Sequence, residues 1–317
     1  YGFEPGPLSP EALREVHRLL EESLSGGALG ISLGLGYAPE CFYTTQELIA
    51  ALAPLRDSGV PITVHMRQEG AGVVEALKEM LTVARALRTP VHISHLKSIG
   101  KAYWGRYMPE MLALLTRARE DGLDVSCDLY PYTAGSTQLI HVLPPEAQEG
   151  GLDTLTQKLR VPEFRAAMRE RMRTGTDFEN LSLLVGWENI DVSTVTREEN
   201  RRFVGRSVAE ISAAEGVDPF DFTFDLLASE SCAVTMIDRI TANEDICAAL
   251  RAPFSSVISD ATYPTSGLLH PRVYGNCAHL LEEYVRRQGV LTLEQAVERL
   301  TSRPASVLGL AGKGRLA

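Results

Sequence analysis

The sequence predicts an α/β protein of the TIM-barrel-like (β/α)8 type carrying an insertion. Two observations point there, and a third marks the insertion. The chain has 317 residues, a natural size for one α/β barrel and ample for a sizeable core. Short β-branched runs alternate with helical patterns of a length that builds βαβ units and a parallel sheet. That order breaks between about residues 138 and 205, where charge, glycine and proline accumulate.

The elements follow in order. Ser9, Pro10 and Glu11 read as an N-cap, an N1 proline and a first-turn acid, with Leu13, Val16, Leu20 and Leu24 recurring near helical spacing until Gly26 and Gly27 end the run. Residues 28–35 read as a buried strand, 47–56 as a helix capped by Thr44 or Thr45, and 61–66 as a strand. The helix expected over 71–88 places Val74, Leu77, Met80, Leu81 and Ala84 on one face. A strand over 91–96, a helix over 108–120 and a strand over 124–130 complete the first part, residues 1–137. The segment 138–205 is expected to be an insertion or cap, with a basic helix over 163–173 and an apolar run over 181–185. Residues 206–317 resume the barrel: helix 207–215, strand 233–237, helix 243–250, strand 255–258, and helices over 279–287 and 293–300.

Composition narrows the function. Lys and Arg total 31 against 41 Asp and Glu, a net charge of −10, so nucleic acid and anionic membrane are not expected partners. A small anionic substrate needs a locally basic pocket. No apolar run is long enough to span a membrane. The opening residues are polar and proline-rich, unlike a signal peptide. Five dispersed cysteines without a CxxC pair are expected to be reduced thiols, and the expected location is cytoplasmic.

In a parallel barrel, chemistry sits at the C-terminal ends of the strands. Those ends carry His65, Arg67 and Glu69, then His95 and Lys97, then Asp128, Tyr130 and Tyr132, and last Ser259 and Asp260. Imidazoles bind Zn²⁺, and an unliganded carboxylate can take a proton from water beside it. A lone histidine at such a place is more often a hydrogen-bonded rim residue; two on consecutive strands with Asp260 on a later one strengthen the metal reading. His92, three residues before His95, is expected on the opposite face and is assigned to packing. His17, His141 and His279 receive no role. Lys97 also reads as a plain surface lysine, and Tyr130 and Tyr132 as rim packing.

Seven blocks make a more specific pattern: GALGISLGLGYAP from Gly27, VHMRQEG from Val64, HISHLKSIGKAYWG from His92, CDLYPYTAGST from Cys127, ISDA from Ile258, HPRVYG from His270 and LTSRPASVLGL from Leu300. In this order they resemble the D-aminoacylase (N-acyl-D-amino-acid deacylase) branch of the amidohydrolase superfamily. The resemblance implies zinc-dependent hydrolysis of the amide bond of a small N-acyl-D-amino acid. It implies His65 and His95 as zinc ligands and Asp260 as the catalytic acid–base. It implies Lys97, Tyr130, Ser136 and Arg272 as the residues that hold the substrate, carboxylate included, and so supply the basic pocket.

The chain departs from that family in having no His-x-His pair and no cysteine at the family's ligand position. By the resemblance it lacks the first strands of the barrel and ends within a family block. Two expectations stay open: a fragment of a longer protein, or a reduced relative that has lost its metal site. In either case His65, His95 and Asp260 make too few ligands for a closed tetrahedral site, weak zinc binding and impaired activity are expected, and exposed strand edges predict self-association. Two other functions compete. A cyclic-amide hydrolase of the dihydroorotase or hydantoinase type needs a carboxylated lysine bridging metals; an inactive barrel fragment would bind an amino-acid derivative as a module.

Overall fold

The computed structural model describes every residue except Tyr1, Gly2, Glu4, Thr265 and Ala317. Among these residues five strands form a parallel sheet: β1 (Ile31–Gly34), β2 (Ile62–His65), β3 (Val91–Ile93), β4 (Val125–Leu129) and, last, β8 (Ser255–Val257). Neighbours in sequence are neighbours in the sheet up to β4, the usual arrangement of consecutive strands. The step to β8 then skips more than a hundred residues of chain.

The helices form as their patterns dictate. The first runs Pro10–Ser25, with the Ser9 hydroxyl accepting from the Ala12 N–H. The second, Thr45–Ala51, opens with a reciprocal capping box between Thr44 and Glu47, and it stops before the expected 56 because Pro54 opens a 3-10 turn over Ala53–Leu55. Val73–Leu87 buries Val74, Leu77, Met80, Leu81 and Ala84 against the sheet. Tyr107–Glu120, Asn243–Arg251 and Leu293–Leu300 also lie close to their expected limits. Ile62, Val64, Ile93, Cys127 and Leu129 meet Leu77, Met80, Met111 and Leu115 in one continuous apolar core, the face-to-helix packing of an α/β protein.

The strand expected at 233–237 is corrected. It forms as β7 (Thr235–Arg239) but belongs to no parallel sheet. It pairs antiparallel with β5 (Ala134–Gln138) on one side and β6 (Ile190–Thr194) on the other. A short apolar run has the same sequence signature in either setting. This three-stranded sheet packs with helices Gly151–Lys158, Pro162–Thr174, Val208–Glu215 and Pro219–Ser229 around its own core, which includes Leu139, Leu155, Val192, Phe224 and Met236. The 138–205 segment therefore shares a core with chain on both of its flanks.

Strand β3 is shorter than the expected 91–96. Its ladder stops at Ile93, because His95 has φ +40 and the chain turns out of the sheet. No helix among the described residues is long and apolar enough to cross a membrane. The five cysteines are unpaired thiols.

Candidate functional site

A cavity of 670 Å³ opens at the C-terminal ends of the parallel strands, between them and the antiparallel sheet. Its lining includes all seven residues singled out in the sequence: His65, His95, Lys97, Tyr130, Ser136, Asp260 and Arg272. They come from β2, from the loops after β3, β4 and β8, from β5, and from the start of helix Arg272–His279. The shared rim of the parallel sheet brings His65, His95, Lys97, Tyr130 and Asp260 together, and β5 and the helix at Arg272 add Ser136 and Arg272.

His65 Nδ1 and His95 Nε2 are 3.0 Å apart. Two nitrogens on one tetrahedral zinc at ordinary bond lengths are about 3.3 Å apart, so the imidazoles are already close to a shared-ligand geometry. Glu69 approaches the other nitrogen of each ring, with Oε1 3.1 Å from His95 Nδ1 and Oε2 3.9 Å from His65 Nε2. One ligand atom from each of the three lies within 4.8 Å of the others. Two imidazoles and a carboxylate are a donor set that zinc uses in catalytic sites, where a fourth position stays open. Glu69, four residues beyond His65 in a loop, has no ligand role in the sequence analysis.

Burial, reinforced by His95 and Lys97 and opposed by the Glu69 carboxylate, pushes the His65 imidazole down to about 3, so it stays neutral with a free ring nitrogen. Burial also pushes the Glu69 carboxyl up, but Lys97, His65 and His95 together hold it well below the usual carboxylate range. Lys97 is therefore not a surface lysine. It is buried, and its ammonium donates to both Glu69 oxygens at 2.8 and 2.7 Å.

Asp260 stands apart from the three metal-capable donors. Like His95 it has a positive φ, +48, a strained backbone state for a residue with a Cβ that is seen where surroundings over-determine it. Its side chain is 36% exposed, and its Oδ2 meets Arg272 Nη1 at 2.9 Å. Arg272 is buried, donates from Nη2 to the Ser136 carbonyl at 3.0 Å, and lies 4.5 Å over the Tyr130 ring. The Ser136 hydroxyl donates to the Met236 carbonyl at 2.9 Å.

Other residues at the site had no role in the sequence reading. Tyr37 Oη is 3.2 Å from His65 Nδ1. Glu179 and Asp238, both from the chain around the antiparallel sheet, line the cavity as well. Burial and the Glu69 charge push the Glu179 carboxyl up to about 8, and burial pushes Asp238 up to about 6. His92 is buried as expected but is no mere packing residue: its ring bonds Ser126 and Asp128 at 2.7 and 2.8 Å.

No family model matches the chain. Among curated proteins, the D-aminoacylase of Alcaligenes xylosoxydans xylosoxydans is 30% identical over 306 residues, which is 96% of this chain and 53% of the relative. The N-acyl-D-glutamate deacylase of the same organism is 31% identical over 311 residues, 98% of this chain and 53% of the relative. Over nearly all of its own length the chain is similar to D-aminoacylases. It spans about half the length of the curated relatives it matches. A solved D-aminoacylase whose structure defines a novel subset of amidohydrolases superposes with a TM-score of 0.74 at 28% identity, covering 98% of this chain and 55% of that one. The N-acyl-D-glutamate deacylase of Bordetella bronchiseptica, complexed with zinc and a phosphonate mimic of the tetrahedral intermediate, gives 0.77 at 27% identity, with 98% and 56% covered.

Proposed function

We propose that this chain carries the metal-binding, acid–base and carboxylate-binding residues of an amidohydrolase that removes the acyl group from N-acyl-D-amino acids. The observation that carries the reading is the convergence of His65, His95, Asp260, Lys97, Tyr130, Ser136 and Arg272 on one cavity. The parallel sheet then corresponds to an arc of a (β/α)8 barrel, with β1 and β8 as its edges.

His65, His95 and Glu69 are the residues that would hold zinc, and zinc bound there supplies Lewis acidity toward an acyl carbonyl and toward water. Asp260, outside that donor set and partly open to the cavity, takes the proton of the attacking water and returns it to the nitrogen of the departing amine. Arg272, with Tyr130 beneath it, receives the substrate carboxylate. Its planar fork suits a planar anion, and burial strengthens the contact. Lys97 neutralises Glu69 and places a second positive charge on the same wall. With the carboxylate fixed, one hand of the amino acid presents its amide to the metal side.

Lys97 sits on both oxygens of one carboxylate. That favours a linear-amide hydrolase over a cyclic-amide hydrolase, which would need the lysine as a bridge between metals. The test is hydrolysis of N-acetyl-D-amino acids, N-acetyl-L-amino acids and dihydrouracil by the zinc-supplemented chain. Amine release from the D series, lost in Asp260→Asn, supports the reading. Ring opening alone would transfer the assignment to the cyclic-amide class. Ligand binding without turnover of any substrate would make the chain a binding module.

A further inference from the structure

His95 aims its ring into the cavity from a backbone state with φ +40. A residue with a Cβ seldom adopts that state, and keeps it only where neighbouring groups hold it. Asp128 and His92 do so here. The His95 N–H donates to Asp128 Oδ1. The other carboxylate oxygen, Oδ2, is 2.8 Å from His92 Nε2. His92 Nδ1 is in turn 2.7 Å from the Ser126 hydroxyl. One imidazole tautomer satisfies both bonds, with Nε2–H donating to the carboxylate and Nδ1 accepting the hydroxyl. His92 and Asp128 are both buried, so each bond forms in low dielectric and an unmade one would be costly. The next N–H along, that of Leu96, donates to the Asp128 carbonyl at 2.7 Å. Asp128 therefore grips the chain on both sides of the turn.

We infer that His92 and Asp128 are positioning residues that hold His95 in its left-handed turn and so aim its ring at the metal site. Neither lines the cavity. The hydrogen-bond chain stands on geometry alone, whereas its consequence for metal affinity rests on the proposed zinc site. Groups behind metal-binding histidines commonly contribute 10–100-fold in affinity when lost.

The experiment compares the wild-type chain with His92→Leu, His92→Gln and Asp128→Asn. Two quantities are read: hydrogen-exchange protection of the His95 amide in zinc-free protein, and zinc affinity by competition with a chromogenic chelator. In His92→Leu, His95 protection is expected to fall at least tenfold while that of Ile93, in the β3 ladder, is kept. Zinc affinity falls by a similar factor. His92→Gln, which restores a donor toward Asp128, is expected to recover much of both. Should His92→Leu fail to fold, Asp128→Asn, in which an amide replaces one oxygen of the grip, is expected to lower both quantities. A role confined to general stability would lower the melting temperature and leave folded-state zinc affinity intact. Unchanged His95 protection overturns the inference, and so does lost protection with unchanged zinc affinity. If the wild type itself takes no zinc, the metal reading fails, and the exchange result alone decides the hydrogen-bond grip.

Discussion

Asp260 and Arg272 meet across the mouth of the cavity, Oδ2 to Nη1 at 2.9 Å, yet Nη1 makes no aligned hydrogen bond. The contact is one of charge more than of direction. Nη1 thus keeps a donor for an incoming carboxylate, while Nη2 stays on the Ser136 carbonyl.

Replacement of Arg272 tests that double use. Arg272→Lys keeps the charge but removes the planar fork. It is expected to raise KM for an N-acetyl-D-amino acid by about tenfold, about 1.4 kcal/mol, with a smaller change in kcat. Equal kcat/KM in the two proteins would separate Arg272 from substrate binding.

Gly36 lies against the candidate metal centre. A Cβ there would sit 2.6 Å from His65 Nε2 and 2.9 Å from His65 Cδ2, well inside contact distance. Because the obstructed atoms are the end of a rotatable side chain, the ring gives way before the fold does. Gly36→Ala is expected to weaken zinc binding about tenfold while costing only ~1 kcal/mol in stability. Chelator competition and urea unfolding measure the two.

Glu69 and Lys97 form a buried pair. Removing one partner leaves an uncompensated charge, which costs about 3–5 kcal/mol at such sites. Glu69→Gln is therefore expected to lower the urea midpoint markedly. The double variant Glu69→Gln, Lys97→Met, with no charge left over, is expected to recover part of the loss. A double variant no more stable than the single one would contradict the pairing.

Glu230 supplies a pH dependence away from the site. Burial pushes its carboxyl up, but hydrogen bonds from the Thr196 hydroxyl, Asn200 and the N–H groups of Thr196 and Arg197 outweigh that and hold it below the usual value. A carboxyl lowered on folding contributes stability above its unfolded pKa, and that stability is lost as pH falls through the folded value. Glu230→Gln is expected to be less stable than wild type by about 2 kcal/mol at pH 7. The gap should narrow as pH drops below about 4, near the unfolded glutamate value. Denaturant midpoints across pH 3–7 read it.

The sequence carried the strand-end chemistry clearly. His65 closes β2, and His95, Lys97 and Asp260 follow strands at positions where the parallel architecture leaves little choice of rim. What it hid follows from the limits of alternation. Alternation places His92 away from His95, and His92 does stay out of the cavity, but its bonds to Ser126 and Asp128 on the neighbouring strand leave no local signal. Helix Pro219–Ser229 went unread because Phe220, Phe222, Phe224, Leu226 and Leu227 show no single apolar stripe. Its Asp218–Pro219 cap, with the Asp218 carboxylate accepting the Phe220 N–H, was the legible signal. The antiparallel pairing of β7 with β5 depends on partners about a hundred residues away in sequence, and no local pattern encodes it.

The central claim is a zinc site built on His65 and His95, and zinc content measures it most directly. The chain, His65→Ala and His95→Ala would be purified metal-free, given zinc, desalted and analysed for the element. The account predicts close to one zinc per wild-type chain and a large loss in each variant. No stoichiometric zinc in the wild type, or equal zinc in all three proteins, would contradict it.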